Sequence, residues 1–149
     1  LQQFDTPSQV FNHPANEFVA GFLDEPPMNI FGVQSDANRR LVVPGTDFAL
    51  PITDYVGRLL GNRTSVRLGV RPWGIHVSPT PLESSVPATV TVVENLGDET
   101  RVGVRYGDML LMASTDVTRA YKPGSRVNLI FEDEELNLFD EHTGERLAA

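Results

Sequence analysis

The sequence predicts a mainly β domain, a small barrel or sandwich, preceded by short N-terminal helices. Three observations predict it. From residue 30 onward apolar residues alternate with polar ones at a period of two; the runs are short; and Gly, Pro, Asn and Asp clusters separate them at close intervals. Before residue 30 the apolar spacing is instead three to four, the period of a helix.

The helices come first. Thr6-Pro7-Ser8-Gln9 reads as a helix start, with a Thr cap, Pro at the first helical position and Gln three residues on to complete a capping box. Pro14 removes a backbone donor and ends that helix, so a second begins near it. Ala15, Phe18, Val19 and Phe22 then fall on one face, Phe11 extends the stripe, and Gly21 with Pro26-Pro27 stops it.

The strands follow. Val102, Val104 and Tyr106 alternate with Arg101, Gly103 and Arg105; Val127, Leu129 and Phe131 alternate with Arg126, Asn128 and Ile130; Val90 and Val92 alternate with Thr89 and Thr91. Further strands are expected over 30–34, 40–43, 65–70, 109–113 and 136–139. Turns are expected at 35–38, 96–98, 122–124 and 143–144. Tyr55, Val56, Leu59 and Leu60 before Gly61 predict one short helix among them.

Composition narrows the function. A chain of 149 residues with 40% hydrophobic content is sized for one ordinary core. No run approaches the roughly 18 apolar residues of a membrane span, and the N-terminus lacks the zones of a signal peptide, so a soluble chain without an export address is expected. Zero cysteines exclude disulfide frameworks and thiol nucleophiles. The net charge of -8 is uneven: residues 1–75 carry 7 acidic and 6 basic side chains, residues 76–149 carry 13 and 6. Nucleic-acid binding, which draws its affinity from clustered Lys and Arg, is not expected.

Candidate chemistry is sparse. His13, His76 and His142 have no second His or Cys at ligand spacing, so no metal is expected. Glu132-Asp133-Glu134-Glu135 lacks the alternation and glycine of a calcium loop and reads as a solvated turn. There is no Gly-x-Ser-x-Gly elbow, no phosphate-cradling Gly-x-x-x-x-Gly-Lys-Ser/Thr and no dinucleotide fingerprint, so no catalytic residue is assigned. In Arg71-Pro72-Trp73-Gly74-Ile75-His76, read as a loop, the sole Trp is either buried with its indole N–H capped or half-exposed and offering stacking area to a partner.

The run LQQFDTPSQVFNHPANEFVAGFLDEPPMNIF resembles the segment leaving the nucleotide-binding domain of ABC-transporter ATPase subunits of the maltose and sn-glycerol-3-phosphate importer type, where GTP-E-x-Y-x-x-P-A-N-x-F-V-A-G-F-I-G-x-P-x-M-N is characteristic. LGVRP at 68–72, VVENLGDET at 92–100 and LNLFDEHTGERL at 136–147 resemble, in order and spacing, that family's C-terminal regulatory TOBE region. Residues 44–63 and 78–88 match least. Trp73-Gly74 stands where the family has Glu, and Glu25-Pro26-Pro27 where it has Gly-Ser-Pro.

The resemblance implies a small OB-like β-barrel over 30–149, with 1–29 as the last helices and linker of an ATPase domain. Phe11, Ala15, Phe18, Val19 and Phe22 would pack against that domain. It implies a regulatory and dimerisation role without ATPase activity, in a subunit whose other domain handles ATP and Mg. The implied partners are the ATPase domain of the same polypeptide, a second copy, the membrane permease at the cytoplasmic face of the inner membrane, and a regulatory protein. Arg71, Trp73 and His76, with Glu94, Asp98 and Glu99, are the expected regulatory or partner contacts. The alternative it implies is a module binding an oxyanion or metabolite.

Overall fold

In the computed structural model, residues 28–97, 99–115 and 121–148 are described. Among the described residues, ten strands form two five-stranded antiparallel sheets. One runs β10 (Asn137–Phe139), β4 (Ser65–Val70), β1 (Asn29–Ser35), β2 (Arg40–Val42), β3 (Ala49–Pro51); the other runs β5 (Ile75–Ser78), β9 (Arg126–Phe131), β6 (Val86–Asn95), β7 (Thr100–Tyr106), β8 (Met109–Thr115). The fold is mainly β and OB-like, as expected.

β6 is the hinge of the second sheet. Its first half pairs with β9 and its second with β7, and a bulge between Val90 and Val92 bends it where the partner changes. The bend curls the sheet, so that its outer strands β5 and β8 approach one another.

The core lies between the sheets. Phe31 and Val33 of β1, Val66 and Leu68 of β4, Val102 and Val104 of β7, and Val127 and Leu129 of β9 alternate inward into one cluster. Each fully buried aliphatic of this kind contributes about 1.5–3 kcal/mol relative to exposure. At the centre Phe48, only 1% exposed, meets Phe31, Tyr106 and Phe131 edge-on at 5.3, 5.4 and 5.8 Å. It comes from the loop before β3, a stretch without alternation, and it joins the two sheets.

The short helix α1 (Asp54–Leu60) is where the sequence places it. Thr53 caps its N-terminus by accepting the Val56 N–H, and Val56, Leu59 and Leu60 are buried. The expected strands all form, while β3 and β5 are additional. β3 has three residues and ends in Pro51, too short to display a period. β5 corrects the reading of 71–76 as a loop: a 3₁₀ turn over Pro72–Gly74 leads directly into strand, and His76 pairs in register with Ile130. The carboxylate run is a 3₁₀ turn over Asp133–Glu135 with no buried side chain, as the solvated-turn reading expected.

Candidate partner-binding groove

The two sheets meet where β1 begins. Asn29 Nδ2 donates to the carbonyls of Val70 at 2.9 Å and Met112 at 2.8 Å, and its Oδ1 accepts the Met112 N–H at 2.8 Å. β8 is an edge strand, so without Asn29 the Met112 peptide groups would lack a ladder partner on that side. Beside Asn29, Met28 packs with Phe139 in a second small cluster.

This junction floors a groove of about 520 Å³. Met28, Ile30, Pro72, Leu110 and Met112 supply its apolar wall, with Glu94 and Arg101 at its polar side. The wall continues across the outer face of the second sheet, where Val92, Gly103 and Met112 are register neighbours. Gly103 is required there. A Cβ on it would lie 2.4 Å from Val92 Cγ1 and 3.0 Å from Met112 Sδ, so the neighbouring side chains have closed over the bare backbone. Val92 and Leu110 nevertheless stay 37% and 42% exposed, a concentration of apolar surface on a face that solvent would otherwise keep polar.

Arg101 is the groove's charged element. It pairs with Glu99 at 3.2 Å and sits in register between Glu94 and Ser114. Its Nε and the Ser114 hydroxyl are both buried, with no hydrogen-bond partner among the described residues.

The structure sorts the expected contact residues. Trp73 is half-buried and follows Pro72 of the groove wall; Arg71 is 3% exposed and holds its guanidinium 5.8 Å from the Trp73 ring centroid, supporting the indole from within. Glu94 lines the groove and Glu99 holds Arg101. His76 is exposed on β5, its Nε2 against Glu132 Oε1, and does not line the groove. Asp98 and the stripe Phe11, Ala15, Phe18, Val19 and Phe22 lie outside the described residues. Asn29, Arg101, Leu110 and Met112 were not singled out from sequence. The signal for the last two is the run Met109-Leu110-Leu111-Met112, apolar on both strand faces where a half-buried strand would alternate.

Fold and sequence together define the class. Residues 68–139 match the TOBE domain, and the chain carries one. Over nearly its whole length the chain is similar to import ATP-binding proteins of the MalK and UgpC kind. It is 32% identical over 160 residues to the trehalose/maltose import ATP-binding protein MalK of Thermococcus litoralis, covering 99% of this chain and 41% of that protein. It is 37% identical over 148 residues to the sn-glycerol-3-phosphate import ATP-binding protein UgpC of Salmonella typhimurium, covering 98% and 40%. The chain thus spans about two fifths of the length of these relatives. In fold it resembles the cytoplasmic molybdate-binding protein ModG, crystallised with molybdate, at a TM-score of 0.55 and 14% identity over 74% of this chain and 94% of that one. No helix among the described residues is long and apolar enough to cross a membrane.

Proposed function

We propose that this chain is the regulatory domain of the ATP-binding subunit of a carbohydrate importer, working beside an ATPase domain of the same polypeptide at the cytoplasmic face of the membrane. The observation that carries this reading is the extent of the likeness: two import ATP-binding proteins of different substrates align with 98–99% of the chain, well beyond the 68–139 domain. The stripe of Phe11, Ala15, Phe18, Val19 and Phe22 packs against the ATPase domain, and ATP and Mg belong to that domain, so this chain alone hydrolyses nothing.

The Asn29 clamp supports the mechanism. A displacement arriving along the segment before Met28 reaches both sheets at once, because one side chain ties β1, β4 and β8 together. A partner seated in the groove would bias the same junction, and a domain that binds a partner differently in two states shifts their balance. A second copy of the subunit or a regulatory protein is the partner, with Trp73, Glu94, Asp98 and Glu99 as its contacts and His76 at the margin. The permease is engaged through the full-length subunit.

Two measurements test this. Calorimetry on the chain should show no ATP binding, and an affinity tighter than about 1 mM contradicts the assignment. In the full-length transporter, Trp73→Ala with Glu99→Ala should abolish regulation or dimerisation while leaving basal ATP hydrolysis in place; unchanged behaviour removes these two residues from the contact surface.

A further inference from the structure

At the other end of β1, roughly 20 Å along the strand from Asn29, a cleft of about 570 Å³ opens between the β1–β2 turn and α1. Arg39, Arg58 and Arg63 line it, from three different elements. In a chain of net charge -8 with 12 basic residues, four of them, Arg39, Arg40, Arg58 and Arg63, fall within residues 39–63.

Local devices aim these side chains. Asp36 accepts the backbone N–H groups of Asn38 and Arg40 and grips the Arg40 guanidinium at 3.0 Å, which fixes the turn and occupies its own charge. Arg39 is thereby held at φ 56, a left-handed conformation where glycine or asparagine would sit without strain. Its Nη2 reaches to 3.8 Å from the point where Gly57 would carry a Cβ, so it lies along a helix face with no side chain in the way. After the helix, the turn at Gly61 brings Arg63 round to the same cleft, 3.8 Å from Asp140.

Arg39 and Arg58 form no ion pair among the described residues, although acidic groups outnumber basic ones in this chain 20 to 12. Arg39 and Arg58, with the weakly held Arg63, face one concavity that Asp36 and Asp54 also line; because Asp36 is already paired with Arg40, the arginines there outweigh the free carboxylate and leave a locally positive site on an acidic molecule. Guanidinium forks match the tetrahedral oxygens of phosphate. Asp54 also lines the cleft, beside Ser35 and Asn62. A carboxylate there repels a bare polyanion but accepts hydrogen bonds from hydroxyl groups.

We propose that this cleft binds a small phosphorylated polyol or sugar, with its phosphate on Arg39, Arg58 and Arg63 and its hydroxyl groups on Asp54, Ser35 and Asn62. The size of the concavity is within the range of about 300–1,000 Å³ typical of small-molecule sites. The site stands on its own geometry and is independent of the groove.

The test is calorimetry on the full chain at low salt with three probes: glucose 6-phosphate, glucose and inorganic phosphate. Glucose 6-phosphate should bind, glucose should not, and phosphate should bind about tenfold more weakly. Arg58→Gln and the pair Arg39→Gln/Arg58→Gln should each weaken glucose 6-phosphate binding by about tenfold or more. Arg105→Gln, an exposed arginine of β7 outside the cleft, should not. Circular dichroism checks that each variant is folded; all three positions are exposed, and the single Arg58 change serves if the pair is unstable. Absence of binding up to about 10 mM overturns the proposal. An equal loss with Arg105→Gln reduces it to general charge attraction and overturns it too. Phosphate binding as tightly as glucose 6-phosphate overturns the polyol assignment.

Discussion

The side-chain amide of Asn29 exchanges two hydrogen bonds of 2.8 Å with the backbone of Met112, standing in for the neighbouring strand that β8 lacks. A third bond, to Val70, ties the same amide to the other sheet. Removing it should unfasten the sheets. Asn29→Ala should lower stability by about 2 kcal/mol, the sum of lost bonds at about 1 kcal/mol each with some recovery by water. Asn29→Asp should not rescue it, since a carboxylate accepts from the Met112 N–H but cannot donate to either carbonyl. Urea denaturation reads the difference, and an Asn29→Asp variant as stable as the parent would refute the two-way exchange.

Gly103 predicts a coupling between neighbours. Gly103→Ala places a Cβ into Val92 and Met112 on the outer face of the sheet, which should destabilise by about 1–3 kcal/mol. Val92→Ala opens the space. In a double-mutant cycle the pair should therefore be more stable than the sum of the single changes by at least about 0.5 kcal/mol. Strict additivity would mean that the side chains move aside freely.

Leu110 separates stability from recognition. At 42% exposure it contributes little to the isolated fold, and Leu110→Ser should shift stability by no more than about 0.5 kcal/mol. In the full-length subunit the same change, made together with Val92→Ser, should weaken the regulatory response. A large loss of stability in the isolated chain would show that the outer face is already engaged within the domain.

The β architecture was legible because most of its strands bury one face, and a buried face writes a period of two into the sequence; β7 and β9 show it residue by residue. The helix was legible through Leu59, Leu60 and the glycine after them. β3 and β5 were not, because β3 ends in a proline that argues against strand and β5 follows directly on the Arg-Pro-Trp-Gly turn that reads as loop. Phe48 was hidden for a different reason: its role depends on three rings from distant strands, and nothing adjacent in sequence marks it. Asn29 lay in plain view within Pro-Pro-Met-Asn, but a lone Asn after prolines reads as turn chemistry, and its real partner is 83 residues away. The groove shows the same limit, since Glu94 and Pro72 meet only through the register of two sheets.

Asp140 offers a test by pH. Its Oδ1 accepts the backbone N–H groups of Thr143 and His142 at 2.8 Å each, closing the turn that returns the chain to bridge Phe139 with Arg146. Those N–H groups, Thr143 first, favour the carboxylate, and with the Thr143 hydroxyl and Arg63 they hold its pKa below the ordinary 3.8 against a smaller opposing effect of burial. On acidification the unfolded chain takes up this proton before the folded one does. The stabilisation is accordingly full above the ordinary carboxylate range and is lost as pH falls through 3.8 and then through the lower folded value. Asp140→Asn removes the titration while keeping an acceptor oxygen. The gap in urea midpoint between parent and Asp140→Asn should be constant near neutral pH and narrow progressively below 3.8; a gap that persists unchanged through the acid range would mean that the turn's hydrogen bonds do not discriminate between the charged and neutral carboxyl.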